Sequence, residues 1–197
     1  MNWSISQSTP PSAEPVSLAE CKNHLRVDIA EDDTVITNMA LAARQQVENE
    51  TRRQLIDASF TLVLPEFPDV IELPRPPLDS VTSIKYYDSG GTLQTLAAAK
   101  YSVDTTGTVA RVRPAYGESW PATRDVWNAV EIVYKAGYGA AASAVPEPLR
   151  MAILLLLGHW YEHREAVVIG TIASTLEMTV GALLGPYRVW FEDPEGK

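Results

Sequence analysis

A single cysteine, Cys21, stands in the whole chain. That excludes an internal disulfide framework and suits a reducing compartment. Long apolar runs are missing too: the greasiest, Met151 to Leu157, falls well short of the ~20 residues that a membrane-spanning helix needs. The opening MNWSISQSTPPSAEP has neither a basic n-region nor an apolar h-region, so the chain reads as soluble and cytoplasmically made, without a secretory leader. Positive charge is scarce, with 16 Lys and Arg against 25 Asp and Glu, for a net charge of −9. The acidic excess is spread rather than blocked: residues 1–57 carry 9 acidic and 5 basic side chains, 58–138 carry 9 and 7, and 139–197 carry 7 and 4. Without a basic face, binding DNA through its phosphates is not the expected task, although an acidic wall past which DNA slides fits the balance. Also lacking are a G-x-S-x-G elbow, a phosphate-cradling glycine–lysine loop and a Cys-x-x-Cys pair. No internal repeat is visible.

What is present is an ordinary globular composition, 46% apolar and 21% charged, enough to bury a real core. Residues 1–15 are polar and carry Pro10, Pro11 and Pro15, so they read as an extended or disordered arm with Trp3 as its one aromatic. Ser17 and Glu20 form a capping-box pattern opening a first helix that stops near Val27. Asp32 or Asp33 opens a second, longer helix to about Arg53, with an expected apolar stripe of Val35, Ile36, Met39, Ala42 or Ala43, and Val47. Arg52 and Arg53 complement its dipole. From Ala58 the period changes to two. Strands are expected at 58–64, 70–73, 81–87, 92–96, 101–104, 108–112 and 129–134, with the clearest hairpin at Ser89-Gly90-Gly91. Gly137-Tyr138-Gly139 and the alanines after it read as a flexible joint. A long helix follows Pro146, with Pro148 tolerated in its first turn, and runs to about Arg164. A short β-branched stretch, 167–171, and a last short helix from Glu177 to Leu184 complete the pattern. The fold class is therefore α+β. Its parts are an arm (1–15), N-terminal helices (16–57), an inserted antiparallel β unit (58–138), C-terminal helices (139–186) and a tail (187–197).

One motif invites a catalytic reading. His159-x-x-Glu162-His163 matches a zinc-hydrolase pattern on a helix, since residues four apart share a face and could hold one metal with Glu162 as base. Such an enzyme needs a further ligand on another element and a cleft, and little chain follows His163. The preferred reading is a packing or subunit-facing aromatic–histidine patch, with no catalytic, cofactor or metal residues. Cys21 reads as a small core hydrophobe. Of the late aromatics, Trp127 and Tyr134 are assigned to the core. Trp160, Tyr161, His163, Arg164, Tyr187, Arg188 and Trp190 are assigned to subunit or partner contacts, where aromatics with arginines are favoured.

The order of short blocks adds a family likeness. Pro15-Val16-Ser17-Leu18-Ala19-Glu20 with His24-Leu25-Arg26-Val27-Asp28, then Leu73-Pro74-Arg75-Pro76-Pro77-Leu78 with Val81-Thr82-Ser83-Ile84, resemble the head–tail connector family of tailed phages. The likeness continues through Pro114-Ala115-Tyr116-Gly117, Trp120-Pro121 and Ala136-Gly137-Tyr138-Gly139. It is strongest from Val145-Pro146 through Gly158-His159-Trp160-Tyr161-Glu162 and on to Pro186-Tyr187-Arg188, spanning about residues 15–191. The resemblance implies a helical connector core with a β insertion and no enzyme. It implies a homo-oligomeric ring of twelve copies under the portal protein in the virion neck, assembled in the host cytoplasm. A neck or tail-completion protein would lie below, and genome DNA would pass through the bore without sequence-specific binding. No cofactor or membrane is implied. Another neck or tail ring, such as a head-completion or tail-terminator protein, is the main alternative, and a zinc hydrolase using His159, Glu162 and His163 the lesser one.

Overall fold

The structure is a computed structural model that describes residues 3–164 and 172–190. The chain divides into two compact units. One combines the N-terminal segment through Ser12 with Asp57–Tyr138, and the other combines Ala13–Ile56 with the chain from Gly139 onward.

The first unit is all β. Its larger sheet has the strand order β1-β2-β8-β4-β5, from β1 (Ser4–Thr9), β2 (Ala58–Leu64), β8 (Val130–Ala136), β4 (Leu78–Tyr87) and β5 (Leu93–Thr95). Its smaller sheet has the order β3-β7-β6, from β3 (Ile71–Leu73), β7 (Ala110–Pro114) and β6 (Tyr101–Asp104). All pairings are antiparallel. In β2 and β8 every second residue is buried, the expected consequence of a two-residue period with one face on a core. That core draws on both sheets: Phe60, Leu62, Ile84, Ile132 and Tyr134 meet Ile71, Leu73 and Val112. Tyr134 is fully buried, stacks on Phe60 and donates its hydroxyl to the Pro74 carbonyl at 2.8 Å. The β4–β5 hairpin turns at the expected glycines, with Tyr87 opposite Leu93 and Gly91 at φ +84°, a conformation that suits glycine.

Three expectations change here. Ser4–Thr9 is not a loose arm: it pairs with β2, Ser4 opposite Val63 and Ser6 opposite Thr61. Only its Ile5 packs on the core; SISQST is too polar for alternation to reveal it, and backbone bonds carry the strand. Trp127, assigned to the core, is 81% exposed. Gly137, read as part of a flexible joint, instead marks a close approach. A Cβ there would lie 2.5 Å from the Asp57 backbone nitrogen, and its φ is +148°.

The second unit is helical: α1 (Leu18–Leu25), α2 (Asp33–Thr51), α3 (Glu147–Glu162) and α4 (Ile172–Leu184). The capping box forms as expected, with Ser17 Oγ accepting from the Glu20 amide and Glu20 accepting from the Ser17 amide at 2.8 Å. Glu20 also bonds the Arg150 guanidinium. The Ser17 bonds, together with Arg150, hold its carboxyl below the usual range. The buried face of α2 is Ile36, Ala40, Ala43, Arg44, Val47, Glu48 and Thr51. The stripe is thus rotated from the expected one, and Val35 and Ala42 face outward. Arg44 and Glu48 hid this phase by being charged and buried: Arg44 pairs with Glu48 at 2.8 Å and with Glu14 at 2.7 Å. Glu48 also accepts from Gln54 at 2.7 Å and from the Leu55 amide at 3.1 Å. Arg52 caps α2 in the left-handed region and lies outside its last turn. α3 buries Leu149, Ala152, Ile153, Leu156 and Leu157. α4 begins at Ile172, earlier than the expected Glu177, because Ile-Ala-Ser-Thr carries weak helix signals. The expected β-branched stretch, 167–171, lies outside the described residues. Among the described residues no helix is long and apolar enough to cross a membrane.

Candidate functional site

The patch singled out at the end of α3 forms around a residue contributed by another element. Tyr161 donates its hydroxyl to Asp32 Oδ2 at 2.5 Å, and the Arg164 guanidinium reaches the same oxygen at 2.8 Å. The guanidinium also lies over the Tyr161 ring, 4.4 Å from its centroid, a cation–π arrangement. The Tyr161 hydrogen bond, then that of Arg164, holds the Asp32 carboxyl below the usual aspartate range. In return Asp32 pushes the Tyr161 phenol up. A carboxylate kept ionised by a phenol and a guanidinium is a clasp and not a general acid. Asp32 itself occupies the N-cap position of α2 but makes no side-chain capping bond.

His159 and His163 stack with ring centroids 4.6 Å apart, and His163 Nδ1 lies 3.0 Å from the His159 carbonyl. Two imidazoles on one helical turn are brought together as the spacing required. Among the described residues, however, no group of three or more His, Cys, Asp or Glu side chains is placed to hold a metal ion. Cys21 is fully buried, and burial followed by the nearby Glu20 charge pushes its thiol up to about 11, far from a reactive thiolate. Trp160 is half-buried.

The later contact residues gather at the opposite end of α2. Arg53 Nε donates to the Tyr187 carbonyl at 2.6 Å, Arg188 pairs with Glu50 at 3.0 Å, and the Val189 amide bonds the Thr51 carbonyl at 3.0 Å. Trp190, next in the chain, is 77% exposed. At 1.5 Å of rise per residue, Asp32 and Glu50 are roughly 27 Å apart along α2. The residues expected to make contacts therefore fall in two groups, one at each end of this helix. Between α2, α3 and α4 lies a cleft lined by Leu156, Leu176 and Val180 and rimmed by Glu50 and Arg188. Its walls are part aliphatic, from Leu156, Leu176 and Val180, and part polar, from Gln46, Glu50 and Arg188. The sequence reading missed Asp32 as the clasp's acceptor. It also missed the exposed Tyr116 and Trp127 of the β unit; nothing in their local pattern separates them from core aromatics.

The comparisons with known proteins agree with the likeness read from the sequence. The family described as Phage gp6-like head-tail connector protein matches residues 15–109, which bears out the resemblance over that part of the chain. No curated protein matches the chain. Among solved structures, the chain is similar to one from the neck of an empty gene transfer agent (GTA) particle computed with C6 symmetry. The two share 27% identity at a TM-score of 0.80, over 95% of this chain and 96% of that one. A chain from the virion of a native gene transfer agent particle is 25% identical at a TM-score of 0.78, with 95% and 96% covered. A third, from the neck of a native GTA particle computed with C12 symmetry, is 27% identical at 0.75, with 97% of each chain covered.

Proposed function

We propose that this chain is a structural head–tail connector of a tailed-phage-like particle, a subunit of a ring in the virion neck that lies under the portal and joins the head to the tail. The observation that carries this is the near full-length likeness to chains from GTA necks, joined to the connector-family match over residues 15–109. The ring is a dodecamer on this reading, supported by the C12 symmetry of a similar neck. Genome DNA passes through its bore. The net charge of −9 supports passage without adhesion, because an acidic wall repels the phosphate backbone. The portal contact falls to the exposed Trp190 and its neighbours Tyr187 and Arg188. The α3 end, with Trp160 and His163, faces a neighbouring subunit beside the Tyr161–Arg164 clasp.

Electron microscopy of the purified chain, alone and mixed with its portal protein, tests the proposal. Twelve-fold rings, alone or seated on the portal, with acidic side chains outnumbering basic ones on the inner wall, are the expected result. A chain that stays monomeric and ignores the portal would overturn it. Trp190→Ala, at an exposed position, is expected to weaken portal binding without lowering the melting temperature.

A further inference from the structure

On a water-facing amphipathic helix the charges point outward and the apolar side chains inward. α2 keeps the apolar half of this pattern, burying Ile36, Ala40, Ala43 and Val47, but breaks the charged half. Its two mid-helix charges, Arg44 and Glu48, are 6% exposed each and paired inside the unit. From Thr34 to Asn49 every exposed residue is uncharged, including Val35, Asn38, Leu41, Ala42 and Gln45. At 100° per residue, Asn38, Ala42 and Gln45 lie along the middle of this outward face, opposite Ile36, Ala43 and Val47. The face is small-sided, mixed apolar and amide, and free of charge over more than three turns. This occurs in a chain that is 21% charged. Depletion of charge in a contiguous patch is the compositional mark of an interface centre, and burying Arg44 and Glu48 carries a desolvation cost that a helix facing only water does not need to bear.

We infer that the outward face of α2 is the surface through which one copy of the chain meets a second copy. This rests on the ring reading above. The occupant follows from that reading and from charge: a closed ring presents every copy with a neighbour on each side, and similar chains come from necks of C6 and C12 symmetry. A neutral face offers nothing to attract the DNA backbone, and an acidic copy of net charge −9 is met most readily through a face that adds no charge of its own.

The test compares sedimentation of the full-length chain, up to its solubility limit, with that of Ala42→Glu, Gln45→Glu and a control, Thr105→Glu, on an exposed β-unit loop. Gln45→Glu is isosteric and exposed, so it keeps the test valid if Ala42→Glu disturbs the helix. The expected result is self-association of the wild type and the control, with at least about tenfold weaker association of both α2 variants at unchanged melting temperature, as for an unpaired charge forced into an interface. A wild type that assembles together with undiminished α2 variants overturns the inference and leaves the ring reading standing. Equal loss in the Thr105 control also overturns it, by showing an effect of net charge alone. Where the wild type stays monomeric alone, the same variants are compared on its portal protein: undiminished ring assembly of the α2 variants there overturns the inference, and a wild type that also ignores the portal overturns it together with the ring reading.

Discussion

Asp32 shows how much one side chain can depend on residues far away in the chain. Its partners Tyr161 and Arg164 lie 129 and 132 positions on, so no local pattern announces it, and as a bare sequence it reads only as a helix cap. Because its carboxyl is held below the usual aspartate range, the clasp contributes stability that is fully present above about pH 4, the ordinary aspartate value, and is lost as pH falls through the lowered folded value. Asp32→Ala removes no capping bond, since none exists. The expected outcome is a Tyr161 phenol that ionises at lower pH than in the wild type, followed by carbon NMR of labelled tyrosine, and several-fold faster amide exchange at residues 160–164. An unmoved Tyr161 titration would rule the clasp out. Gly137 makes the second residue-scale case. The sequence suggests freedom at this position, but the fold uses it for closeness, with the Asp57 backbone where a Cβ would go. Gly137→Ala is expected to cost about 2–4 kcal/mol in urea unfolding, combining a left-handed backbone with a backbone clash. A cost near zero would show that the two strand ends part easily.

At the scale of elements, most of the chain was legible where a local signal has a single physical meaning. The capping box, the glycine hairpin and the two-residue alternation of β2 and β8 are of that kind, and each stands within a residue or two of its expected place. β1 was not legible, because a polar edge strand is held by its neighbour's backbone and not by its own apolar period. On α2 the buried Ile36, Ala43 and Val47 were legible, while Ala40, Arg44, Glu48 and Thr51 were not, for a related reason. Alanines mark a buried face weakly, and Arg44 and Glu48 mark it with the wrong sign. Their network makes an unequal pair of expectations. Glu48→Ala leaves Arg44 buried without its helix partner, takes one of the two acceptors of Gln54 Nε2 and leaves the Leu55 amide without its acceptor, so it is expected to cost about 3–5 kcal/mol. Glu14→Ala removes only a partner whose side chain is 36% exposed, and about 1 kcal/mol or less is expected. Chemical denaturation of the two variants side by side checks the order. Equal costs would mean that the buried network does not hold the helix.

For the whole molecule the sequence suggests a β block over 58–138 between helices, and the structure groups Asp57–Tyr138 with the segment through Ser12. What could not be read was that the β unit is completed by the chain's first strand, across the intervening helices α1 and α2. That discontinuity can be tested directly. Every residue of the buried β core falls between Ala58 and Ala136, so the segment 57–138 holds its own core, and a domain with a contiguous core is expected to fold alone. It would lack the β1 ladder against β2 and the packing of Ile5, and β2 would become a bare sheet edge prone to pairing with other chains. Residues 57–138 produced alone are therefore expected to give β-sheet circular dichroism and a cooperative thermal transition at a lower temperature than the full chain's β unit. A synthetic peptide of residues 3–12 should raise that temperature in a concentration-dependent way, because it binds only the folded form. Failure of the segment to fold at all would place the stability of the β unit in the helices. Folding with no response to the peptide would show that β1 closes the sheet without stabilising it.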